Sequence, residues 1–392
     1  MRIACILPSL EAGGAERVAS ELSLQLSKDH EVFLILNSAA TISYPYGGEK
    51  IELYLPAQSN IIKKIVIFFA RLRKLRTYKK YLKIDISLSF MRGSNVLNLL
   101  SRIRDHVYLS VHTYESGGLH GLYGFIYRYL MKFLYRKADG VIAVSRMIAE
   151  DLVCNFNVPE KKIRVIHNPV NIEAITKLVK EDIASYEEAY FSRPSIVVVG
   201  RLNRIKAQWN IIRALVEIRK RVPDCRIVFI GKGELEEYLK DLAESCGVGE
   251  SVHFLGYKKN PFAYLNRASA FVLCSSREGF PNVIVEAMAC GVPVISTDCK
   301  SGPREICAPE SSGNALSVEY AEYGILVPPC EDRIPKANEP LSPCERSLAE
   351  ATCELLQNHS LSERYRKAGQ SRAKDFDYPI IMKQYRDVLS LN

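Results

Sequence analysis

Two glutamates eight positions apart have the spacing in this chain that most strongly suggests chemistry. Glu278 and Glu286 flank a Gly-Phe-Pro-Asn turn, and the apolar run Ala270–Cys274 precedes it. A helix is expected to begin near Pro281, because proline fits a first helical turn, where its missing N–H would be unpaired. The N–H groups of the next two residues would then point out of the helix start, where an anion can bind. Carboxylates can bind sugar hydroxyls, and the backbone amides beside them can bind phosphate. Together they predict a site for a sugar nucleotide.

A basic pair follows the apolar run Ser195–Val199. Arg201 and Lys206 lie on one loop that is expected to enter a helix. Arginine can bind phosphate oxygens through two N–H groups, and lysine adds a mobile point charge. Two such cations would stabilise the negative charge that builds on a diphosphate leaving group. A solvated surface pair is the competing interpretation.

Glycine turns and one histidine also follow predicted strands. Gly13 and Gly14 come after the first strand, and the stretch Gly231–Leu235 comes after a strand in the second half. Glycine lets the backbone approach a ligand closely, and a following helix start favours phosphate. His112 ends another strand, in Ser110–Glu115. Each of these signals is weak alone, because a plain structural turn or a structural histidine explains it equally well.

The elements that must position these residues are alternating strands and helices. In the first half, short apolar runs predict strands at Arg2–Leu7, Glu31–Leu36, Ile84–Phe90, Val107–Val111, Gly140–Val144 and Ile163–His167. In the second half they predict strands at Ser195–Val199, Arg226–Ile230, Val252–Leu255, Ala270–Cys274 and Val292–Ser296. Helices are expected at Ala15–Ser27, Trp209–Arg221, Leu235–Cys246 and Pro379–Leu391. This alternation predicts parallel sheets of βαβ units.

The fold class is therefore α/β, with two doubly wound Rossmann-like domains. Residues 1–170 form the first domain, residues 171–194 a polar linker, and residues 195–376 the second domain. Such sheets bind ligands at the carboxyl ends of their strands, so two domains facing each other are expected to leave a cleft.

Composition excludes several classes of protein. The chain has 392 residues, is 47% hydrophobic and 25% charged, and has eleven scattered cysteines without a C-x-x-C pair. These features argue against a disulfide framework or a zinc site and for a reducing compartment. The first residues lead directly into a strand, so no signal peptide is expected. No apolar run reaches the ~20 residues that a membrane span needs.

The positive charge is local. The formal net charge is +9, and nine bases without an acid lie between Lys63 and Lys83. Apolar residues at positions 61, 65, 68, 72, 75 and 82 form a helical stripe, so the segment Asn60–Lys83 is predicted as an amphipathic basic helix on an anionic membrane surface. A core-packed helix with a solvated basic face is the alternative. A second aromatic and basic run, Tyr123–Lys137, could add to the membrane contact.

Together, these motifs resemble those of retaining glycosyltransferases of glycosyltransferase family 4, which have the two-domain GT-B architecture. The resemblance rests on the two spaced glutamates, on the G-R-L-x-x-x-K pattern of Gly200–Lys206 and on the turns above, and it runs from about residue 2 to 330. It implies a C-terminal helix, residues 377–392, that crosses back to the first, acceptor-binding domain. It also implies that the second domain binds the nucleotide sugar.

The resemblance also implies roles for individual residues. Glu286 would bind the ribose hydroxyls, Glu278 the donor sugar, and Arg201 with Lys206 the diphosphate, while His112 would contact the donor sugar near the reaction centre. The expected catalytic residues are His112, Glu278, Arg201 and Lys206. The expected nucleotide-sugar set is Gly13, Gly14, Arg201, Lys206, Gly231, Lys232, Leu255, Glu278, Phe280, Pro281, Asn282, Val283 and Glu286.

The sequence thus predicts a retaining hexosyltransferase that uses a nucleotide sugar, most simply a UDP-sugar, and needs neither a metal nor a separate cofactor. The opening Gly13–Arg17 also resembles bacterial enzymes that extend lipid-linked or capsular oligosaccharides. A lipid-linked or polysaccharide acceptor and a cytoplasmic location on the inner face of the cell membrane are therefore expected.

Two alternatives remain open at this point. The first is another enzyme of the same architecture, such as a sugar-nucleotide epimerase or a glycogen-synthase-like polymerase. The second is a nucleic-acid-binding protein, which the sequence pI of about 8.9 suggests. The absence of an RRM, KH or zinc-finger pattern argues against the second, so no nucleic-acid partner is expected.

Overall fold

A computed structural model describes residues 1–11, 13–38, 42–55, 60–118, 121–331 and 333–391. The chain divides into two compact units. One consists of Met1–Pro169 with Ile381–Asn392, and the other of Val170–Ile380. Each unit contains a seven-stranded sheet with helices between the strands. The doubly wound α/β fold class is confirmed.

The first unit has an all-parallel sheet in the order β3-β2-β1-β4-β5-β6-β7. Its strands are β1 Arg2–Leu7, β2 Glu31–Leu36, β3 Glu49–Glu52, β4 Ile86–Phe90, β5 His106–Val111, β6 Gly140–Ala143 and β7 Ile163–Val165. Its helices are α1 Gly14–Leu26, α2 Ile61–Tyr81, α3 Arg92–Leu100, α4 Gly121–Leu134 and α5 Arg146–Phe156. The edge strand β3 escapes sequence analysis because Ile51 is its only buried residue.

The second unit has the strand order β10-β9-β8-β11-β12-β14-β13, and β13 is antiparallel to β14. Its strands are β8 Ser195–Val199, β9 Arg226–Ile230, β10 Val252–Phe254, β11 Ala270–Leu273, β12 Val294–Thr297, β13 Glu319–Tyr320 and β14 Ile325–Val327. The helices from residue 170 onward are α6 Ile172–Leu178, α7 Ser185–Glu188, α8 Trp209–Arg221, α9 Glu236–Ser245, α10 Phe262–Leu265, α11 Asn282–Ala289, α12 Pro303–Cys307, α13 Pro343–Gln357, α14 His359–Ala373 and α15 Tyr378–Val388.

One segment differs from its predicted structure, and a second agrees with its prediction. Residues 171–194, expected as a linker, contain α6 and α7 and cluster with the second unit. The Asn171 side chain caps α6 by accepting the Ala174 N–H at 2.9 Å, a local signal that the polar composition concealed. Residues from Ile381 onward return to the first unit, where Arg386 pairs with Asp29 at 2.5 Å. The expected return of the C-terminal helix is thus observed.

The loop between β14 and α13 is held by two devices. Cys330 and Cys344 form a disulfide with their Cα atoms 5.3 Å apart. This bond is an exception to the expectation that the cysteines stay unpaired, and spacing alone could not show it because chain folding brings the two residues together. The buried Arg213 donates to Glu345 at 2.7 Å and to four backbone carbonyls of the loop. The N–H groups of the buried Arg213 guanidinium therefore supply hydrogen bonds to loop carbonyls that would otherwise lack a partner.

Helix α2 packs differently from its predicted orientation. Leu75 is fully buried, and Phe68, Leu72 and Leu82 pack on the core beneath β1–β3. The predicted apolar stripe therefore faces the core from residue 68 onward, and only Ile65 of the described stripe residues is exposed. The side chains of Ile61 and Ile62 lie outside the described residues. The alternative of a core-packed helix with a solvated basic face is correct for this part of α2.

The bases of α2 are not all available to a membrane either. Lys79 is 0% exposed and pairs with Asp105 at 2.7 Å. Burial lowers the pKa of Lys79 to about 8, and the Asp105 charge opposes this, so the ammonium is charged at neutral pH. Arg71 and Lys74 donate to backbone carbonyls that follow β3. Of the helices in the described part of the chain, none has the length and apolar character to cross a bilayer.

Replacing Asp105 by Ala should destabilise the first unit by about 3–5 kcal/mol, because it leaves the Lys79 ammonium buried without a counter-charge. The matched control is Glu31→Ala, which breaks the exposed pair with Arg2 and should cost no more than about 1 kcal/mol. Urea unfolding followed by circular dichroism measures both variants. Equal midpoints for the two would contradict this account of the buried pair.

Candidate functional site

The turns that follow β8, β9 and β10 are joined through their backbones. The N–H of Gly231 donates to the carbonyl of Gly256 at 2.8 Å. Gly231 has φ +147°, and a Cβ there would lie 2.0 Å from the carbonyl oxygen of Gly200. Only glycine permits this approach. The contact places Lys232 and Leu255, both predicted near the nucleotide, on neighbouring turns at the carboxyl edge of the second sheet.

The predicted basic pair lies on the turn after β8. Lys206 closes the 3₁₀ turn Arg204–Lys206, which Asn203 caps by accepting the Lys206 N–H at 3.0 Å. Arg201 is 73% exposed, and its Nε is 3.5 Å from the Glu234 carboxylate. An exposed pair at this distance contributes little energy, so the Arg201 guanidinium can turn to an incoming anion.

Glu278 meets Lys206 directly. The Lys206 Nζ lies 2.6 Å from Glu278 Oε1, and the Ser275 hydroxyl donates to the same oxygen at 2.5 Å. The two turns adjoin because β8 and β11 are neighbours in the sheet. The sequence motifs indicate the two charged residues but neither their direct contact nor Ser275, which belongs to no motif of its own.

The loop after β12 supports the Glu278 turn from behind. The Glu278 N–H donates to the Lys300 carbonyl at 3.3 Å, and the Ser301 hydroxyl donates to the Gly279 carbonyl at 2.6 Å. Gly302 has φ +97°, and a Cβ there would lie 2.4 Å from Pro281 Cδ. This loop was not among the predicted site residues, although its Ser-Gly-Pro stretch after a strand is a turn signal.

Helix α11 begins at Asn282, one residue later than predicted, with Pro281 as its N-cap. The N–H groups of Asn282 and Val283 belong to the first turn of this helix, where backbone donors and the helix dipole favour an anion. Glu286 lies one turn further on and is buried. The Phe280 ring is also buried, 5.3 Å from the Phe376 ring, so its side chain serves the core.

In the first unit, His112 follows β5. Its Nε2 lies 2.8 Å from the Ser110 hydroxyl, and its ring lies 5.8 Å from that of Phe90. Burial lowers the pKa of His112 to about 3, so the imidazole is neutral at physiological pH. A neutral imidazole can exchange hydrogen bonds with sugar hydroxyls but is not a cation for phosphate.

A row of buried polar side chains leads to this histidine. Asn98 donates to Ser89 at 3.1 Å, and Ser89 donates to Asn95 at 2.8 Å. Asn95 then donates to the backbone carbonyl of Ser110 at 3.1 Å. Because each member is buried and bonded, the row fixes the position of the β5 end and with it that of His112.

The glycines Gly13 and Gly14 begin α1, with Gly13 as its N-cap in an extended conformation. A Cβ on Gly13 would lie 2.2 Å from a carboxylate oxygen of Glu16, so this acid covers the helix start. Burial raises the pKa of Glu16. A phosphate at this position would meet a carboxyl group of the chain itself.

The predicted residues therefore fall into two groups. Arg201, Lys206, Glu278 and the start of α11 come together at the carboxyl edge of the second sheet. His112, Gly13 and Gly14 belong to the first unit. In the second unit, amides and cations for a diphosphate lie beside carboxylates for hydroxyls, which suits a nucleotide linked to a sugar. Among the residues that the structure describes, there is no group of three or more His, Cys, Asp or Glu residues that could hold a metal ion.

Two family profiles match this chain. "Glycosyltransferase Family 4" matches residues 12–174, and "Glycosyl transferases group 1" matches residues 179–322. A glycosyltransferase of Methanocaldococcus jannaschii is 33% identical over 272 residues, which cover 68% of this chain and 67% of that protein. The chain belongs to glycosyltransferase family 4.

A second relative spans nearly the whole length. It is the N-acetylgalactosamine-N,N'-diacetylbacillosaminyl-diphospho-undecaprenol 4-alpha-N-acetylgalactosaminyltransferase of Campylobacter jejuni, 30% identical over 390 residues, with 96% of both chains covered. Among solved structures, HepE of Anabaena, in complex with UDP, has a TM-score of 0.77 at 18% identity and full coverage of both chains. The fold is GT-B, and the protein is a glycosyltransferase.

Replacing Gly302 by Ala should lower kcat/KM for transfer at least tenfold, because the new methyl group pushes on Pro281 and so on the turn that holds Glu278. Gly313→Ala is the matched control. Its φ is +94°, so the backbone strain is similar, but a Cβ there meets nothing within 4 Å. Steady-state kinetics and urea midpoints of both variants distinguish the effect of backbone strain from the effect of displacing Pro281. Equal activity losses would show that the contact with Pro281 is irrelevant.

Proposed function

We propose that this protein is a retaining, metal-independent hexosyltransferase that moves a sugar from a UDP-sugar to a lipid-linked saccharide. The observation that carries the proposal is the contact between Lys206 and Glu278 beside the start of α11. It places a cation, a carboxylate and helix N–H groups together, as a sugar bound through a diphosphate requires. HepE, which shares the fold, was solved with UDP, and this supports uracil as the base of the donor nucleotide.

In this proposal, Arg201 and Lys206 bind the diphosphate together with the N–H groups of Asn282 and Val283. The negative charge on the diphosphate rises as the bond to the sugar breaks, so positively charged groups held in place lower the barrier. They supply the charge that a metal ion supplies in other transferases. Glu278 then binds hydroxyls of the donor sugar, and Glu286 binds those of the ribose.

The turns after β9 and β10 hold the rest of the nucleotide. Gly231 and Lys232 lie near the phosphates and ribose, and the backbone at Leu255 contacts the base. The Phe280 ring is buried in the core, so Phe280 contributes to the nucleotide-sugar site through its backbone in the Glu278 turn. The neutral imidazole of His112 contacts the donor sugar near the reacting carbon.

Retention of configuration follows from attack on the face that the diphosphate leaves. The acceptor hydroxyl forms the new bond to the anomeric carbon, the bond to the diphosphate breaks, and the leaving phosphate oxygen takes the acceptor proton. This chemistry follows the family resemblance. The carboxyl group of Glu16 over Gly13 favours an acceptor hydroxyl over a phosphate at the α1 start.

The acceptor class is inferred from the Campylobacter relative, whose substrate is a saccharide on undecaprenyl diphosphate. Such an acceptor stays in the membrane, so the enzyme would work as a peripheral protein on the inner face of the cell membrane. The solvent-exposed bases of α2, such as Arg73, Arg76 and Lys80, support an anionic surface as partner.

The decisive experiment compares reactions with and without acceptor. Donor UDP-N-acetylgalactosamine, UDP-N-acetylglucosamine or UDP-glucose is incubated with a saccharide acceptor, and product mass and anomeric configuration are determined. Transfer with retained configuration supports the proposal. Epimerised donor without transfer supports the epimerase alternative, and products with many added units support a polymerase.

Replacing Arg201 or Lys206 by Ala should lower kcat/KM about 10²-fold or more, because a charge that stabilises the transition state is removed. Arg204→Ala removes an exposed charge from the same 3₁₀ turn and serves as the matched control. Addition of EDTA should leave the wild-type rate unchanged. Wild-type turnover in a folded Arg201→Ala, Lys206→Ala double variant would show that these two cations do not stabilise the transition state.

Substitution of the two glutamates should have different effects on UDP binding, which calorimetry measures. Glu286→Gln should weaken UDP binding, because ribose contact does not need the donor sugar. Glu278→Gln should bind UDP at least as tightly as wild type, because its change frees Lys206 from the ion pair, yet transfer should fall. The assigned roles are wrong if Glu286→Gln binds UDP as tightly as wild type, or if Glu278→Gln binds it much more weakly.

A further inference from the structure

Helix α4 in the first unit has two apolar faces. Its inner face is buried through Gly124, Tyr127 and Met131. Its outer face has five large apolar side chains between 49% and 70% exposed, and these residues are Phe125, Ile126, Tyr129, Leu130 and Phe133. Two apolar faces are typical of a helix that packs on both, yet the outer face of α4 is exposed in the described part of the chain.

The five exposed side chains form one continuous surface, which we call the α4 outer face. At 100° per residue they span an arc of about 140° on one side of the helix. The rings of Tyr129 and Phe133 touch edge to face at 5.1 Å. Single exposed apolar residues are normal in proteins, but a contiguous patch of this kind marks an interaction surface.

The charges around the α4 outer face have one sign. Residues 121–137 contain four bases and no acid. Arg128 and Lys132 are half-buried and lie on one flank of the exposed arc, where long side chains can reach past apolar surface toward anionic groups. An apolar helix face flanked by bases fits the boundary between headgroups and acyl chains in an anionic bilayer.

Helix α2 lies on the same side of the sheet. The connections β3 to β4, β4 to β5 and β5 to β6 all step in one direction across the sheet, so right-handed crossovers place α2, α3 and α4 on one face. The first turns of α2 add exposed Ile65, Val66 and Phe69. The chain between residues 60 and 83 has no acid.

We propose that the α4 outer face inserts into the interfacial region of an anionic lipid bilayer, and that the exposed bases of α2 contact the headgroups beside it. This inference rests on the proposed function, since a membrane-held acceptor requires an enzyme on the membrane. It relocates the apolar contact from α2, whose predicted stripe faces the core, to α4. A second copy of the chain is the poorer occupant, because a symmetric contact would place bases against bases.

The test uses three full-length proteins: wild type, an α4 variant and a control variant. The α4 variant carries Phe125→Gln, Leu130→Gln and Phe133→Gln, because glutamine keeps the helix propensity. The control carries Leu316→Gln, Tyr320→Gln and Ile334→Gln, which remove exposed apolar side chains from the second unit. Vesicles of phosphatidylcholine with and without phosphatidylglycerol are sedimented with each protein.

Wild type and control should partition onto the anionic vesicles, and the α4 variant should partition at least tenfold less. All three should keep the same urea midpoint and the same UDP affinity, because every changed side chain is solvent-exposed and none belongs to the inner face of α4 or to the candidate site. Hydrogen exchange of the α4 amides should slow on anionic vesicles in wild type. A further variant with Arg73→Gln, Arg76→Gln and Lys80→Gln should lose part of the binding and part of its salt dependence.

Several results would overturn the proposal. They are absence of vesicle binding by wild type, equal binding by wild type and the α4 variant, or an equal loss in the α4 and control variants. A wild-type dimer that the α4 changes convert to monomer, with vesicle binding unchanged, would assign the α4 outer face to self-association. Absence of UDP binding or of sugar transfer in wild type would instead refute the proposed function. The vesicle assay measures neither property.

Discussion

The ion pair between Lys206 and Glu278 is the interaction on which the second unit's site depends. It joins the turn after β8 to the turn after β11 across 72 positions of sequence. The pair forms because these strands are neighbours, and Ser275 fixes the carboxylate that accepts the ammonium. Each charge of the pair therefore serves as the partner of the other. Under the proposed function, a diphosphate bound to Lys206 would replace the Glu278 carboxylate as its partner and would leave that carboxylate available to sugar hydroxyls.

Backbone contacts make this arrangement rigid. Gly231 brings its turn against Gly200, and Gly302 brings the loop after β12 against Pro281. Both glycines have a positive φ and stand where a Cβ would clash, so the geometry is built into the main chain and not left to side-chain rotamers. Site residues that are held in this way need less reorganisation when charge develops, which is the condition for electrostatic catalysis.

In the first unit, the basic charge and the exposed apolar surface lie mainly on different helices. Helix α2 is strongly basic, yet Lys79 is buried against Asp105 and the apolar stripe packs on the core. Helix α4 is apolar on both sides, and its outer face lies in solvent. The sequence thus placed the main exposed apolar stripe on α2, whereas the structure packs most of that stripe on the core and leaves five large apolar side chains of α4 exposed. Burial, which depends on the neighbours of a helix, distinguishes them.

The sequence by itself determined the strands other than β3, β13 and β14, the fold class and the residue types of the candidate site. Runs such as Arg2–Leu7 and Ser195–Val199 match the observed strands residue for residue, because strands buried in a parallel sheet are continuous apolar stretches. Only the tertiary structure decided the contact of Lys206 with Glu278, the support from Ser301 and Gly302, the pairing of Cys330 with Cys344 and the inward turn of α2. These contacts depend on which helices and strands become neighbours. Packing between residues that are far apart in the sequence decides this, and no local sequence pattern encodes it.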